Sequence, residues 1–213
     1  MSGITDYAQN KLQDALWRGQ ALGAPASWYF ALITASRGER TNLAAYALND
    51  TIVVKIGAKY AFYKCTAAGA AAAALPGYTG AAGEAIVDGA ATFTEQTAAL
   101  GAGTAVTEVA GGAYARVAVA AALANFAGTQ AAGSIVASSG SGGQTSNNGA
   151  ITFPAPTAQW HPAGGAVVGV AVFDAAGGGN CWHWSLLSAP KSINNGDPAP
   201  SIAAGAWTDK LGD

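Results

Sequence analysis

The apolar positions of this chain recur first at helical spacing and then in strand-like runs. Ile4, Ala8, Leu12, Ala15 and Leu16 fall on one face of a helix. Thr5 can cap it, Asp6 sits where the helix dipole favours an acid, and Arg18-Gly19 is a stop signal. About four turns of helix are marginal alone. The stripe must therefore dock, either on its own domain or on a neighbouring subunit, and Trp17 near its end is a candidate anchor. After Pro25, residues 28–34 (WYFALIT) are aromatic and β-branched and predict a buried strand that starts at Trp28.

A compact β-module is predicted next, spanning roughly residues 45–94. Strands over 50–56 and 59–65 flank a Gly57-Ala58 hairpin turn, and Asp88-Gly89 marks a second turn before a strand over 90–95. The segment around 100–103 returns the chain to its parent domain. Residues 108–119 (EVAGGAYARVAV) read as a strand, 125–134 as strand or loop, and 138–149 (SSGSGGQTSNNG) as a flexible polar loop. Four more strands are predicted over 150–153, 166–173, 180–187 and 201–207, separated by turns rich in Gly, Asn, Asp and Pro. The fold class is all-β: a β-sandwich or jelly-roll-like base with a short N-terminal helix and an inserted small β-domain. The base takes residues 1–42 and 104–213, the insert 43–103.

Composition narrows the function. Of 213 residues, 51% are hydrophobic and only 10% charged, against about 25% charged in a soluble globular domain. That sparseness suits a protein packed against neighbours, and it equally suits an Ala- and Gly-rich genome bias. The net charge of -2 and the scattered Lys and Arg argue against nucleic-acid binding. No secretory signal precedes the first helix, and the longest apolar tract, 66–75, is far shorter than the ~20 residues of a membrane span. Cys65 and Cys181 fall in different predicted domains and read as two reduced, buried thiols.

No catalytic, cofactor or metal constellation is predicted. His161 and His183 are the two histidines, both beside tryptophans. On a regular strand His183 would face away from Trp182 and Trp184, as a hydrogen-bonded structural residue. The Gly-rich runs lack the Lys-Ser/Thr of a phosphate loop. The aromatic residues of the insert, Tyr46, Tyr60, Tyr63 and Tyr78, offer a glycan-facing row. They equally offer the core that so small a module requires.

The ordered segments ITDYAQNKLQDALWRG, PASWYFALITA, EVAGGAYARVAV, SNNGAITFPAPTAQW, VVGVAVFDAAGGGNCWHW and LLSAPKSINNGDPAPSIAAGAWT resemble a group of small tailed-phage virion proteins of tail-fibre-like or head-decoration type. The resemblance covers most of the chain outside the insert; one departure is Trp160-His161, where that group commonly has Trp-Gly. The insert, through Tyr46, Asn49-Asp50, Tyr63-Lys64-Cys65-Thr66, Pro76-Gly77-Tyr78 and Asp88-Gly89-Ala90-Ala91-Thr92-Phe93, is similar to a phage carbohydrate-binding-like module. Tyr78 and Phe93 replace that module's two tryptophans, which weakens sugar stacking.

The resemblance implies a non-enzymatic bacteriophage structural protein without cofactors. The first expectation is a capsid decoration or cement protein on the capsid exterior, assembled in the host bacterial cytoplasm, bound to the major capsid protein and self-associated as a dimer or trimer. Trp17 and Trp28 are its candidate inter-subunit contacts, and the insert would project outward. The alternative is a tail-fibre-like protein that binds tail proteins and surface glycans. Neither expectation involves nucleic acid or membrane.

Overall fold

The computed structural model describes residues 2–210. In chain order the elements are β1 (Ser2–Ile4), α1 (Asp6–Trp17), β2 (Ser27–Ala35), β3 (Ala45–Tyr46), β4 (Thr51–Ile56), β5 (Lys59–Ala67), β6 (Gly69–Ala70), β7 (Ala85–Asp88) and β8 (Ala91–Glu95). They continue with α2 (Thr97–Gly101), β9 (Val117–Ala120), β10 (Phe126–Ala127), β11 (Gln144–Asn147), β12 (Ile151–Thr152), β13 (Ala166–Phe173), β14 (Cys181–Lys191), β15 (Ser201–Ile202) and β16 (Thr208–Lys210). The fold is all-β with a short N-terminal helix, as the hydrophobic pattern predicts.

A five-stranded antiparallel sheet, ordered β1-β14-β13-β2-β9, organises the molecule. The middle strand β13 is apolar and buried along its whole length because both faces are covered, and its neighbour β2 is buried from Phe30 to Ala35. On β2, Ala31, Ile33 and Ala35 enter one core while Phe30 and Leu32 enter another. On β13 the same division holds, but a register shift between Val167 and Gly169 changes the parity. Ala166 and Val168 precede the shift on the face that Ala171 and Phe173 occupy after it. Gly169 belongs there because a Cβ would lie 2.6 Å from the Ser185 carbonyl oxygen.

The first face packs on the four-stranded sheet β4-β5-β8-β7, through Val53, Tyr60 and Phe62, and on Leu100 of α2. The second face is covered by Ile151, Phe153, Trp160, Ile193 and Trp207, from the two-stranded β12–β15 sheet, the three-stranded β10–β11–β16 sheet and their loops. The 43–103 segment also has a core of its own, with Ile52, Val54, Ala61, Tyr63, Cys65 and Phe93 on the other side of its sheet. β5 thus sends alternate residues to two cores, and the segment lies flat on the base sheet through a shared apolar layer.

Some segments differ from their sequence reading. Residues 108–119 do not form one strand. Glu108 bridges Ile33, then Gly111, Gly112 and Ala113 all take positive φ (77°, 57° and 62°), and pairing resumes only at β9. A strand cannot continue through three successive left-handed residues. The polar 138–149 stretch contains β11, held between β10 and β16. The 201–207 stretch is paired only at β15, and residues 97–101 are helical.

Buried polar side chains tie these pieces together. Arg40, ahead of the insert, donates from Nε and Nη2 to the Asp88 carboxylate, both at 2.8 Å. Arg116 donates to Glu108 at 2.7 Å and lies 3.7 Å from the centre of the Phe173 ring, with Nη1 bonded to the Ala175 and Gly178 carbonyls. Asn147 accepts from the Trp207 amide and donates to the Gly149 and Ala203 carbonyls, which holds β11 against the C-terminal segment.

Candidate functional site

A groove of about 630 Å³ lies between α1, the second face of the central sheet, and the 121–128 segment. α1 is placed over it by its own cap. Thr5 accepts from the Ala8 amide, and its hydroxyl also donates to the Cys181 carbonyl at 2.5 Å while its amide donates to the Trp182 carbonyl. One buried threonine thus starts the helix and pins it to β14. Ala8 and Leu12 then form one wall of the groove.

Its other walls are aromatic: Trp28, Phe30, Phe126, Trp182 and Trp207. They meet edge to face, Trp28–Trp182 at 5.1 Å, Phe30–Trp207 at 5.2 Å and Phe126–Trp207 at 6.0 Å, the arrangement the ring quadrupoles favour. A β-bulge makes this possible. Cys181 pairs with Phe173 and His183 with Val172, so Trp182 is an extra residue on its strand. Trp182 and His183 consequently line the same groove, while Trp184 goes to the opposite core. The expected alternation of His183 against both tryptophans is corrected here, since the bulge breaks the two-residue period.

His183 is 4% exposed, and its Nε2 lies 3.3 Å from the Asp209 carboxylate on β16. Burial pushes the imidazole below its ordinary pKa, with Asp209 opposing, so the ring is neutral at pH 7. A carboxylate offers only lone pairs, which places the proton on Nε2 and leaves Nδ1 as an acceptor. Neither His183 Nδ1 nor Trp207 Nε1 has a hydrogen-bond partner among the described residues. Sequence reasoning did not find this site, because its parts come from residues 4–30, 121–145 and 172–209. The WHW triplet was the visible signal.

The predicted inter-subunit residues separate. Trp17 is 79% exposed at the end of α1, beside Leu16 at 70%. Trp28 is half-buried in the groove wall.

The four tyrosines predicted to face a glycan are buried, which corrects that reading. Tyr46 packs edge to face on Phe93, and Tyr63 on Tyr78. Each hydroxyl is engaged within the protein: Tyr46 with the Thr41 amide, Tyr60 with Glu39, Tyr63 with Glu84 and Tyr78 with Asp88. A sheet that shares one face with the base and must fill a second core leaves no ring over for the surface.

Cys65 and Cys181 are free, buried thiols, and burial pushes Cys181 up to about 11. Among the described residues no helix is long and apolar enough to cross a membrane, and no three His, Cys, Asp or Glu side chains gather into a metal-holding group.

Comparison with curated proteins gives no match. Comparison with protein families gives one described as podophage GP4 fiber I protein gp80, which matches residues 90–209, more than half of the chain. The matched stretch runs from the turn before β8 into β16 and includes Phe126, Trp182, His183, Trp207 and Asp209 of the groove. The chain therefore belongs to the podophage GP4 fiber I protein gp80 family, and is a bacteriophage virion protein of fibre type.

Proposed function

We propose that this protein is a non-enzymatic component of a phage tail fibre or its attachment region, working by packing against copies of itself and against tail proteins. The family membership carries the reading. The surface supports it. Leu16 and Trp17 project from α1, and Leu123, Ile135 and Val136 are each more than half exposed. The Asn148 amide donates to both the Leu123 and Ser134 carbonyls, which brings Leu123 and the 135–136 pair into one neighbourhood. Exposed apolar patches of this kind mark association surfaces.

The capsid-decoration reading rests on the resemblance to head-decoration proteins, with which the sparse charge of the chain and the exposed Trp17 are compatible. Copy number separates the two. Quantitative mass spectrometry of purified particles, with immunogold electron microscopy, is expected to find a few copies at the tail. Hundreds of copies spread over the head would replace the fibre reading with decoration.

A further inference from the structure

We propose that the groove under α1 seats Trp17 of a second copy of this chain. Two copies then join about a two-fold axis, each Trp17 in the groove of the other. This rests on the self-packing part of the fibre reading and names the contact that does the packing.

The protruding ring and the groove belong to the same helix. Ala8 and Leu12 line the groove, and Leu16 continues their stripe one turn farther along α1. Leu16 is nevertheless exposed, and so is Trp17 beside it. On the opposite rim Leu123 both lines the groove and is more than half exposed, with Ile135 and Val136 in its neighbourhood. When a protrusion and its receptacle lie on one surface, a two-fold rotation brings each to the other, and the interface closes at two copies. An indole entering the groove meets the walls formed by Trp28, Phe30 and Trp182. Trp17 and Trp28, the two candidate inter-subunit residues, thereby become the two sides of one contact.

Charge selects a copy of this chain as the occupant. Between Arg18 and Arg37, and again between Arg116 and Asp174, the sequence has no Asp, Glu, Lys or Arg. Both rims of the groove come from these stretches, apart from α1 itself. On α1, Asp14 and Arg18 neutralise each other at 2.7 Å. Among the residues lining the groove Asp209 alone is charged, and it is turned to His183. Foreign partners are chosen by complementary charge, which this surface does not offer. A second copy meets no like charge here. The area is also sufficient. Trp17, Leu16, Leu123, Ile135 and Val136 offer on the order of 600 Å² per copy before the groove walls are added, against the ~800 Å² per partner of a standard interface.

The test is sedimentation equilibrium of the full chain over a range of concentrations. A dimer is expected. Trp17→Ala removes an exposed side chain, so it should leave the melt unchanged and weaken the dimer at least about thirtyfold, as for one hot-spot tryptophan. Ala122→Glu sets a carboxylate at an exposed position of the groove wall and should weaken it as well. Mixed together, the two variants are expected to pair more tightly than either does alone, because the intact Trp17 of one enters the intact groove of the other. If a variant loses the native melt, the tryptophan emission of the native chain decides, moving to shorter wavelength with concentration as Trp17 leaves water. A chain that stays monomeric to its solubility limit, association that closes at three, a dimer indifferent to Trp17→Ala, a mixture no tighter than its components, or an emission that does not move overturns the proposal. The fibre reading fails separately. A Trp17-dependent dimer found in hundreds of copies on the head would strike that reading alone, and a monomer found at the tail would strike only this pairing.

Discussion

Asp88 is fully buried and nevertheless ionised. Burial alone would raise its pKa. The Arg40 guanidinium, the Ala72 amide and the Tyr78 hydroxyl outweigh that and hold the carboxyl below its ordinary value of 3.8. Arg40 is itself 3% exposed at its side chain, so removing the anion strands a buried cation. Asp88→Asn is therefore expected to cost about 3–5 kcal/mol in urea unfolding. The pH dependence has a definite sign. A depressed carboxylate adds stability that is complete above the unfolded value and is lost as pH falls through the lower folded value. The native protein should lose stability on acidification below about pH 3.8, and the Asn variant should show a flatter acid limb. Asp88 was visible in the sequence as a turn residue before Gly89. Its buried partner was not, because Arg40 lies 48 positions away.

At the scale of elements, turns and caps were legible where a residue has one conformational use. Thr5 caps α1 and Gly57 turns the β4–β5 hairpin with φ 61°. Gly89 adds a second constraint. Its φ is +67°, and a Cβ there would lie 2.5 Å from the Ala70 carbonyl oxygen and 2.6 Å from the Ala72 amide. The backbones of the β7–β8 turn and of β6 touch, with the Ala90 amide bonded to the Ala70 carbonyl. Gly89→Ala should combine left-handed strain with backbone displacement and cost about 2 kcal/mol or more in thermal or urea unfolding. A loss within a few tenths of a kcal/mol would show that the β6 strand moves freely. The bulge that turns Trp182 into the groove had no such signature. It arises from how β14 matches β13 across the sheet, which is a property of two strands together.

For the whole molecule, the main consequence is how the 43–103 segment sits. Val53, Tyr60 and Phe62 pack against Ile33, Ala171 and Trp184 of the central sheet. Deleting residues 45–94 would bare that face. Burial of each such side chain is worth about 1.5–3 kcal/mol, so the three together rival the ~5–15 kcal/mol that hold a typical domain. The shortened chain is expected to be insoluble or molten, seen as loss of near-ultraviolet circular dichroism and of a cooperative melt. A native-like melt would establish the segment as a separable knob. Because the family match starts at residue 90, inside this segment, β8 belongs to the matched stretch while pairing with β5 and β7 outside it.

By itself the sequence determined what depends on neighbours along the chain. The helix with its cap, the apolar runs of β2, β13 and β14, the 57–58 and 88–89 turns, the two unbridged cysteines and the all-β class follow from periodicity and from residues with restricted backbone choices. Only the tertiary structure decided which faces were left over. The insert tyrosines became core because the central sheet covers one side of their sheet and a second core the other. His183 came to a groove wall because a bulge added one residue to its strand. The groove exists because α1, β14 and β16 converge from opposite ends of the chain, and burial of that kind is set by distances in space that no local pattern encodes.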